Sequence, residues 1–156
     1  VNLETIFFLA QQIKRLEKAI TKQVMLNKAF QQLLTVPGIG NILAMTIMLE
    51  VGDIGRFPKV GNFASYCRCV SSKRLSDGKS KGQGNRKNGN KYLAWAYVEA
   101  AHFAIRFHPK AKRFYDRKAS RTNNTVARKA LANKMARASY YIMRDQVAYD
   151  ESKMFS

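Results

Sequence analysis

The chain has 156 residues, room for one core with a helical extension but not for two full-sized domains. Hydrophobic residues make up 46% and aromatics 11%, too apolar for a disordered tail. With 28 Lys and Arg against 10 Asp and Glu the net charge is +18, an imbalance that calls for a polyanionic partner, nucleic acid ahead of an anionic membrane.

From Leu3 to Leu34 the spacing predicts a long helix, about 45 Å if unbroken, and a heptad frame fits it. Ile6, Ile13, Ile20, Asn27 and Leu34 fall at one seam position; Leu9, Leu16, Gln23 and Phe30 fall at the other. Ile with Leu in these positions favours a two-stranded coiled coil, and a lone Asn is a register device, so a homo-oligomer through this helix is one expectation. The other is an amphipathic helix folded back on its own domain. The chain opens at Val1 without the zones of a signal peptide, and is read as a fragment of something longer.

Residues 33–57, LLTVPGIGNILAMTIMLEVGDIGRF, predict a helix end near Thr35, a turn at Pro37-Gly38-Ile39-Gly40 and a second, apolar helix from Asn41 to Val51. The pattern resembles a helix-hairpin-helix module. In such a module the glycines admit a phosphate to the backbone and the N–H groups opening the second helix hold it, which makes Gly38, Ile39 and Gly40 candidate nucleic-acid contacts. An ordinary helical hairpin is the plainer alternative. Gly52-Asp53 ends the helix, and a short one follows at about Val60 to Tyr66 with Phe63 and Tyr66 inward. The apolar run from Ile42 to Leu49 is far too short to span a bilayer, so no membrane segment is expected. Cys67 and Cys69, one residue apart, suit neither a zinc knuckle nor an ordinary disulfide; free thiols and a reducing cytoplasm follow.

Between Ser71 and Lys91 only Leu75 is clearly apolar. Lys73, Arg74, Lys79, Lys81, Arg86, Lys87 and Lys91 oppose the single acid Asp77, and a segment so composed cannot bury a face of its own. An extended basic loop or a strained β-hairpin gripping nucleic acid is expected. Ser71, Ser72, Ser76 and Ser80 lie among these cations, as a hydroxyl attacking a phosphodiester would need, though composition alone selects none and also fits a loop that only holds phosphates.

Helical spacing returns from Lys91 to Phe107, with Leu93, Ala96, Tyr97, Ala100, Ala101, Ala104 and Phe107 for the core, and ends at His108-Pro109. A segment from Lys110 to Ala119 carries Phe114 and Tyr115 beside a heavy Lys/Arg face. Thr122 to Thr125 supply N-cap chemistry for a last helix, about Val126 to Ala148, whose stripe is Ala127, Ala130, Leu131, Met135, Ala138, Tyr141 and Ile142. The fold class is therefore all-α: helix 1–34, a helix-hairpin-helix domain 35–149 containing the basic loop 71–91, and a flexible tail 150–156. His102 and His108 are not spaced as a metal pair, and the ten acids are scattered, so no metal site is expected in this chain.

The run VPGIGNILAMTIMLEVGDIGRF, then NFASYC, SDGKSKGQGNRKNGNKYL, VEAAHFAIR and ARKALANKMARASYYIMRDQV, resembles in consistent order the C-terminal half of the "IS one-ten" insertion-element transposases, relatives of the Piv DNA invertases. The resemblance implies a bacterial DNA transposase working in the cytoplasm at the nucleoid. It implies that an N-terminal RuvC-like domain outside this chain carries the acidic ligands of a divalent metal, Mg, that DNA is the partner, and that some members use a guide RNA. The family's serine nucleophile lies in a Ser-Gly-Gly-Lys loop, which maps onto Ser76-Asp77-Gly78-Lys79, with Ser72 the next candidate. Asp77 stands where the family has Gly, and Ser71 where it has Pro. The isolated chain is expected to be inactive. A non-catalytic helix-hairpin-helix binding module is the alternative.

Overall fold

A computed structural model describes residues 2–70, 73–83 and 87–155, with the side chains of 73–75 and 80–83 left aside. The described chain is helical apart from one two-stranded hairpin. In order come α1 (Asn2–Met25), α2 (Lys28–Leu33), α3 (Asn41–Val51), a 3-10 turn (Ile54–Arg56), α4 (Val60–Tyr66), β1 (Lys73–Ser76), β2 (Lys79–Gln83), α5 (Lys91–Phe107), α6 (Pro109–Ala119), α7 (Asn124–Asp145) and α8 (Glu151–Phe155).

Helix α7 is the spine of the core. Leu131, Met135, Ala136, Ser139, Tyr140 and Met143 on it are buried, and α2, α4, α5 and α6 all pack against it. Its inward face meets Leu93, Ala96, Tyr97, Ala100, Ala101 and Ala104 of α5, where the alanines let the two backbones approach closely. Asn123 caps α7 by accepting from the Val126 N–H at 2.9 Å. An aromatic cluster of Phe57, Phe63, Tyr66, Tyr97 and Tyr140 fills the space beneath α4, and the Tyr140 hydroxyl donates to the Phe57 carbonyl at 2.9 Å. Two stripe positions differ from expectation. Phe107 is exposed, and on α7 it is Tyr140, not Tyr141, that turns inward, because 3.6-residue periodicity drifts over six turns.

The single helix expected from Leu3 to Leu34 is broken at Asn27. Rather than occupying a coiled-coil seam within one continuous helix, Asn27 is extended (φ −81°, ψ 122°) and its side chain accepts from the Ala29 N–H at 2.8 Å, capping α2. Asn competes with helix by bonding nearby backbone, and here a cap wins over a register position. No residue of α1 is buried, and Ile6, Leu9, Ile13, Leu16 and Ile20 are exposed along it; α2, by contrast, sinks Phe30 and Leu33 fully into the core. The helix is thus divided between two environments that heptad spacing does not separate.

The closing residues, expected as a flexible tail, carry α8. Met154 is buried, Lys134 donates to the Met154 carbonyl at 2.7 Å, and Glu151 pairs with His108 at 2.8 Å and Lys110 at 2.6 Å. The Lys110 ammonium beside it holds the Glu151 carboxyl below the usual range. His108 also caps α6, its Nδ1 accepting from the Ala111 N–H at 3.3 Å, so Nε2 is the donor to Glu151. His102 lies on the exposed face of α5.

Candidate active site: a stapled serine hairpin

The basic segment takes its hairpin form. Ser76 pairs with Lys79 and Leu75 with Ser80, and an irregularity in register falls between Lys73 and Leu75. The two-residue loop is Asp77-Gly78, with φ of 53° and 71°, the double positive pattern of a type I′ turn. Only Gly, and at some cost Asn or Asp, enters that region readily, and Asp77-Gly78 supplies one of each kind. Ser76 and Lys79, Cα partners, flank it on one face, and both are exposed. A hydroxyl and an ammonium are therefore presented together beside the hairpin's turn.

The ribbon's root is fastened. Arg68, at a positive φ of 54°, turns its guanidinium across the hairpin base and donates to the carbonyls of Lys87 and Gly89, the latter at 2.9 Å. Asn90 N–H donates to the Tyr66 carbonyl at 2.7 Å. Gly89 has φ 94°, and a Cβ there would stand 2.4 Å from the Tyr66 carbonyl oxygen, so only glycine fits. Asn90 then caps α5, accepting from Tyr92 and Leu93 N–H at 2.8 and 2.9 Å, while its own amide donates to Glu50 at 2.6 Å. Hydrogen bonds from Asn90 and Arg56 draw the Tyr66 phenol below its ordinary pKa. Arg68, Glu50 and Asn90 escaped sequence reasoning because their partners lie 19 to 40 residues away; only the Gly89-Asn90 pair before an apolar helix carried a local signal.

The remaining predicted contacts are spread out. Lys87 and Lys91 are exposed near the root, Lys91 resting 4.9 Å from the Tyr92 ring. The side chains of Lys73, Arg74 and Lys81 and the whole of Ser71, Ser72 and Arg86 lie outside the described residues. At the turn before α3 the three candidates separate. Gly38 (φ 89°) is pressed on α5, where a Cβ would stand 2.2 Å from the Ala100 oxygen. Ile39 is 4% exposed and its N–H is spent on the Val36 carbonyl at 3.0 Å. Gly40 alone faces open space, as the N-cap of α3, with no side chain capping the helix. Gly38 is glycine because a neighbouring helix leaves no room for a Cβ. Gly38 meets α5 nine residues beyond Lys91, about 14 Å along the helix, so the turn and the hairpin root are distinct places.

The sequence profile described as the Transposase IS116/IS110/IS902 family matches residues 30–116, from the buried end of α2 to the middle of α6. The chain belongs to this family. Over 139 residues it is 28% identical to the transposase for insertion sequence element IS1328 of Yersinia enterocolitica, covering 86% of this chain and 42% of the relative. It is 27% identical over 145 residues to an insertion element IS110 uncharacterized 43.6 kDa protein of Streptomyces coelicolor, covering 92% and 36%, and 28% identical over 145 residues to a probable family 20 transposase of Pseudomonas aeruginosa, covering 90% and 43%. The chain thus spans about two-fifths of the length of these relatives. The family match includes the whole stapled hairpin and its supports, Glu50, Arg68 and Asn90. Among the described residues no three His, Cys, Asp or Glu side chains gather as a metal cage. What the chain offers chemically is a hydroxyl, cations and backbone N–H groups. No helix among the described residues is long and apolar enough to cross a membrane.

Proposed function

We propose that this chain is the serine-bearing portion of a DNA transposase and that Ser76 is its nucleophile. The Ser76 oxygen attacks phosphorus, a serine–phosphate ester forms, one P–O bond of the strand breaks, and the departing deoxyribose oxygen leaves as a hydroxyl once protonated; the serine proton passes to solvent or to a base outside this chain. The bond count is conserved, so rejoining is the same exchange run backwards. The observation that carries this reading is the position of Ser76 at the tip of the hairpin, exposed, with Lys79 across the turn to meet a phosphate oxygen. The Arg68 and Asn90 anchors support it, since a nucleophile must be held in place to within a fraction of an ångström for proximity to count. The acid at Asp77 sits beside this site and opposes the approach of phosphate, which Lys79 offsets.

DNA is the substrate in this reading, an RNA guide is a further partner, and two copies associate through the exposed apolar stripe of α1. A divalent metal belongs to a part of the protein outside this chain, and the isolated chain binds without cutting. The deciding experiment is Ser76→Ala in the protein that carries this segment together with the rest of its length. Loss of both the covalent protein–DNA adduct and strand exchange, by at least about a thousandfold, is expected. Persistence of both would end the assignment, and Ser72→Ala would then be next. A purely gripping module is favoured by one feature, the open Gly40 N-terminus of α3; under that reading Ser76→Ala leaves every measurement unchanged.

A further inference from the structure

The basic face of α6 and α7 has so far been given no work. Between the end of α6 and the first turns of α7 lies an open groove of about 690 Å³. Arg117, Lys118 and Arg121 line one side and Lys129 and Lys134 the other, and no carboxylate lines it. Lys134 is committed, bonded to the Met154 carbonyl and held 5.4 Å from the Phe114 ring. The other four have no ion pair and no side-chain hydrogen bond among the described residues, whereas Lys110 and Lys112, earlier on α6, are both paired with acids. The acids near this helix have thus been spent outside the groove. Phe114, Val126 and Ala130 add apolar lining. The lining also includes Cys69 and Val70, the last described residues before the serine hairpin, with Asn133 donating to the Cys69 carbonyl at 3.3 Å.

We infer that this α6–α7 groove seats a single polynucleotide strand by its phosphate backbone and leads it to the base of the serine hairpin. The inference rests on the nucleic-acid reading above and names the surface for it. Four unpaired cations on the two sides of the groove match the phosphates of a strand lying between them, the apolar lining suits sugars and bases, and the concavity is too small for the body of a duplex. DNA and RNA share this backbone chemistry, so the test carries both.

The experiment measures binding of the chain to a labelled single-stranded DNA, a single-stranded RNA of the same sequence and the corresponding DNA duplex, each across a range of salt. The groove variant is Arg117→Gln/Arg121→Gln/Lys129→Gln, all exposed positions; a charge-matched control is Lys14→Gln/Lys18→Gln/Lys22→Gln on α1. At about 0.7 per lost contact the groove variant should flatten the salt slope for single strands by about 2 and weaken binding about 100-fold at 0.1 M salt. The control should bind within about threefold of the original, and the arm in which the loss is larger, DNA or RNA, identifies the natural strand. Circular dichroism of the variants checks that the helices persist. If the original chain binds and the groove variant matches the control, the groove is not the path, although the nucleic-acid reading stands. A loss confined to the duplex overturns the single-strand seating. If the original chain binds none of the three, this inference and the reading beneath it both fall.

Discussion

Gly38 and Gly40 stand two residues apart in the same turn and meet opposite surroundings. Adding a methyl group at Gly38 drives it to 2.2 Å from the Ala100 oxygen and 2.8 Å from the Ala104 nitrogen, both backbone atoms that cannot step aside, at a φ of 89° that L-residues resist. Gly38→Ala should therefore cost about 2–5 kcal/mol, summing left-handed strain and overpacking, read as a large fall in the urea midpoint. Gly40→Ala, with open space and an extended backbone, should leave stability within about 0.5 kcal/mol. An equal effect at both positions would contradict the packing described. The thiols make a second residue-scale case. Burial, the largest cause, lifts Cys69 to about 12, with Lys129 pulling the other way, and burial also lifts Cys67. The folded pKa is raised, so the stabilising contribution is complete below the unfolded value near 9 and is lost as pH climbs towards 12, because the unfolded chain ionises first. Stability should fall above pH 9 by up to about 1.4 kcal/mol per pH unit per thiol, and Cys67→Ala/Cys69→Ala should flatten that slope whatever it does to stability at neutral pH.

Elements depend on bonds that cross between them, and the serine hairpin shows how. A two-stranded ribbon is marginal alone, so its order comes from the root, where Arg68 binds the Lys87 and Gly89 carbonyls. Arg68→Ala should lower hydrogen-exchange protection across β1 and β2 about tenfold, roughly 1.4 kcal/mol of local opening, while the amides of α5 and α7 stay as protected as before. Loss of protection spread evenly over the whole chain would show instead that the hairpin and the helical body open together. Much at this scale was legible in the sequence. The span of α4, the Gly52 stop, the His108-Pro109 break and the Asn123 cap were all written in local residue chemistry. The basic segment announced its polarity and its type I′ loop lies in the plain Asp77-Gly78 pair, but the anchoring of its root did not show, since Glu50 and Asn90 meet only after the chain has folded. The break at Asn27 was hidden for a related reason. Asn suits a coiled-coil seam and a helix cap equally well, and only the burial of Phe30 and Leu33 beyond it decides between them.

At the scale of the molecule, α1 is the unbalanced part. Ile6, Leu9, Ile13, Leu16 and Ile20 are all exposed, an apolar stripe about 21 Å long between its end residues that one chain leaves uncovered. Sedimentation equilibrium should give a mass that rises with concentration for the original chain and a monomer for Leu9→Asp/Ile13→Asp, with the helical signal of the rest retained; an unchanged mass for the variant would remove α1 as the contact. The charge of +18 bears on the same measurement, since repulsion between copies falls with salt and association should strengthen as salt rises, the reverse of its effect on nucleic-acid binding. The bend between α1 and α2 is braced: Val24 packs against the core, Gln31 donates to the Met25 carbonyl at 3.0 Å, and Asn27 N–H to the Val24 carbonyl at 2.9 Å. A braced bend transmits position. If two such rods lie side by side, sliding one past the other by a single heptad shifts its globule by about 10 Å, so the choice of phase along a greasy stripe becomes a ruler for the distance between two copies of the serine hairpin.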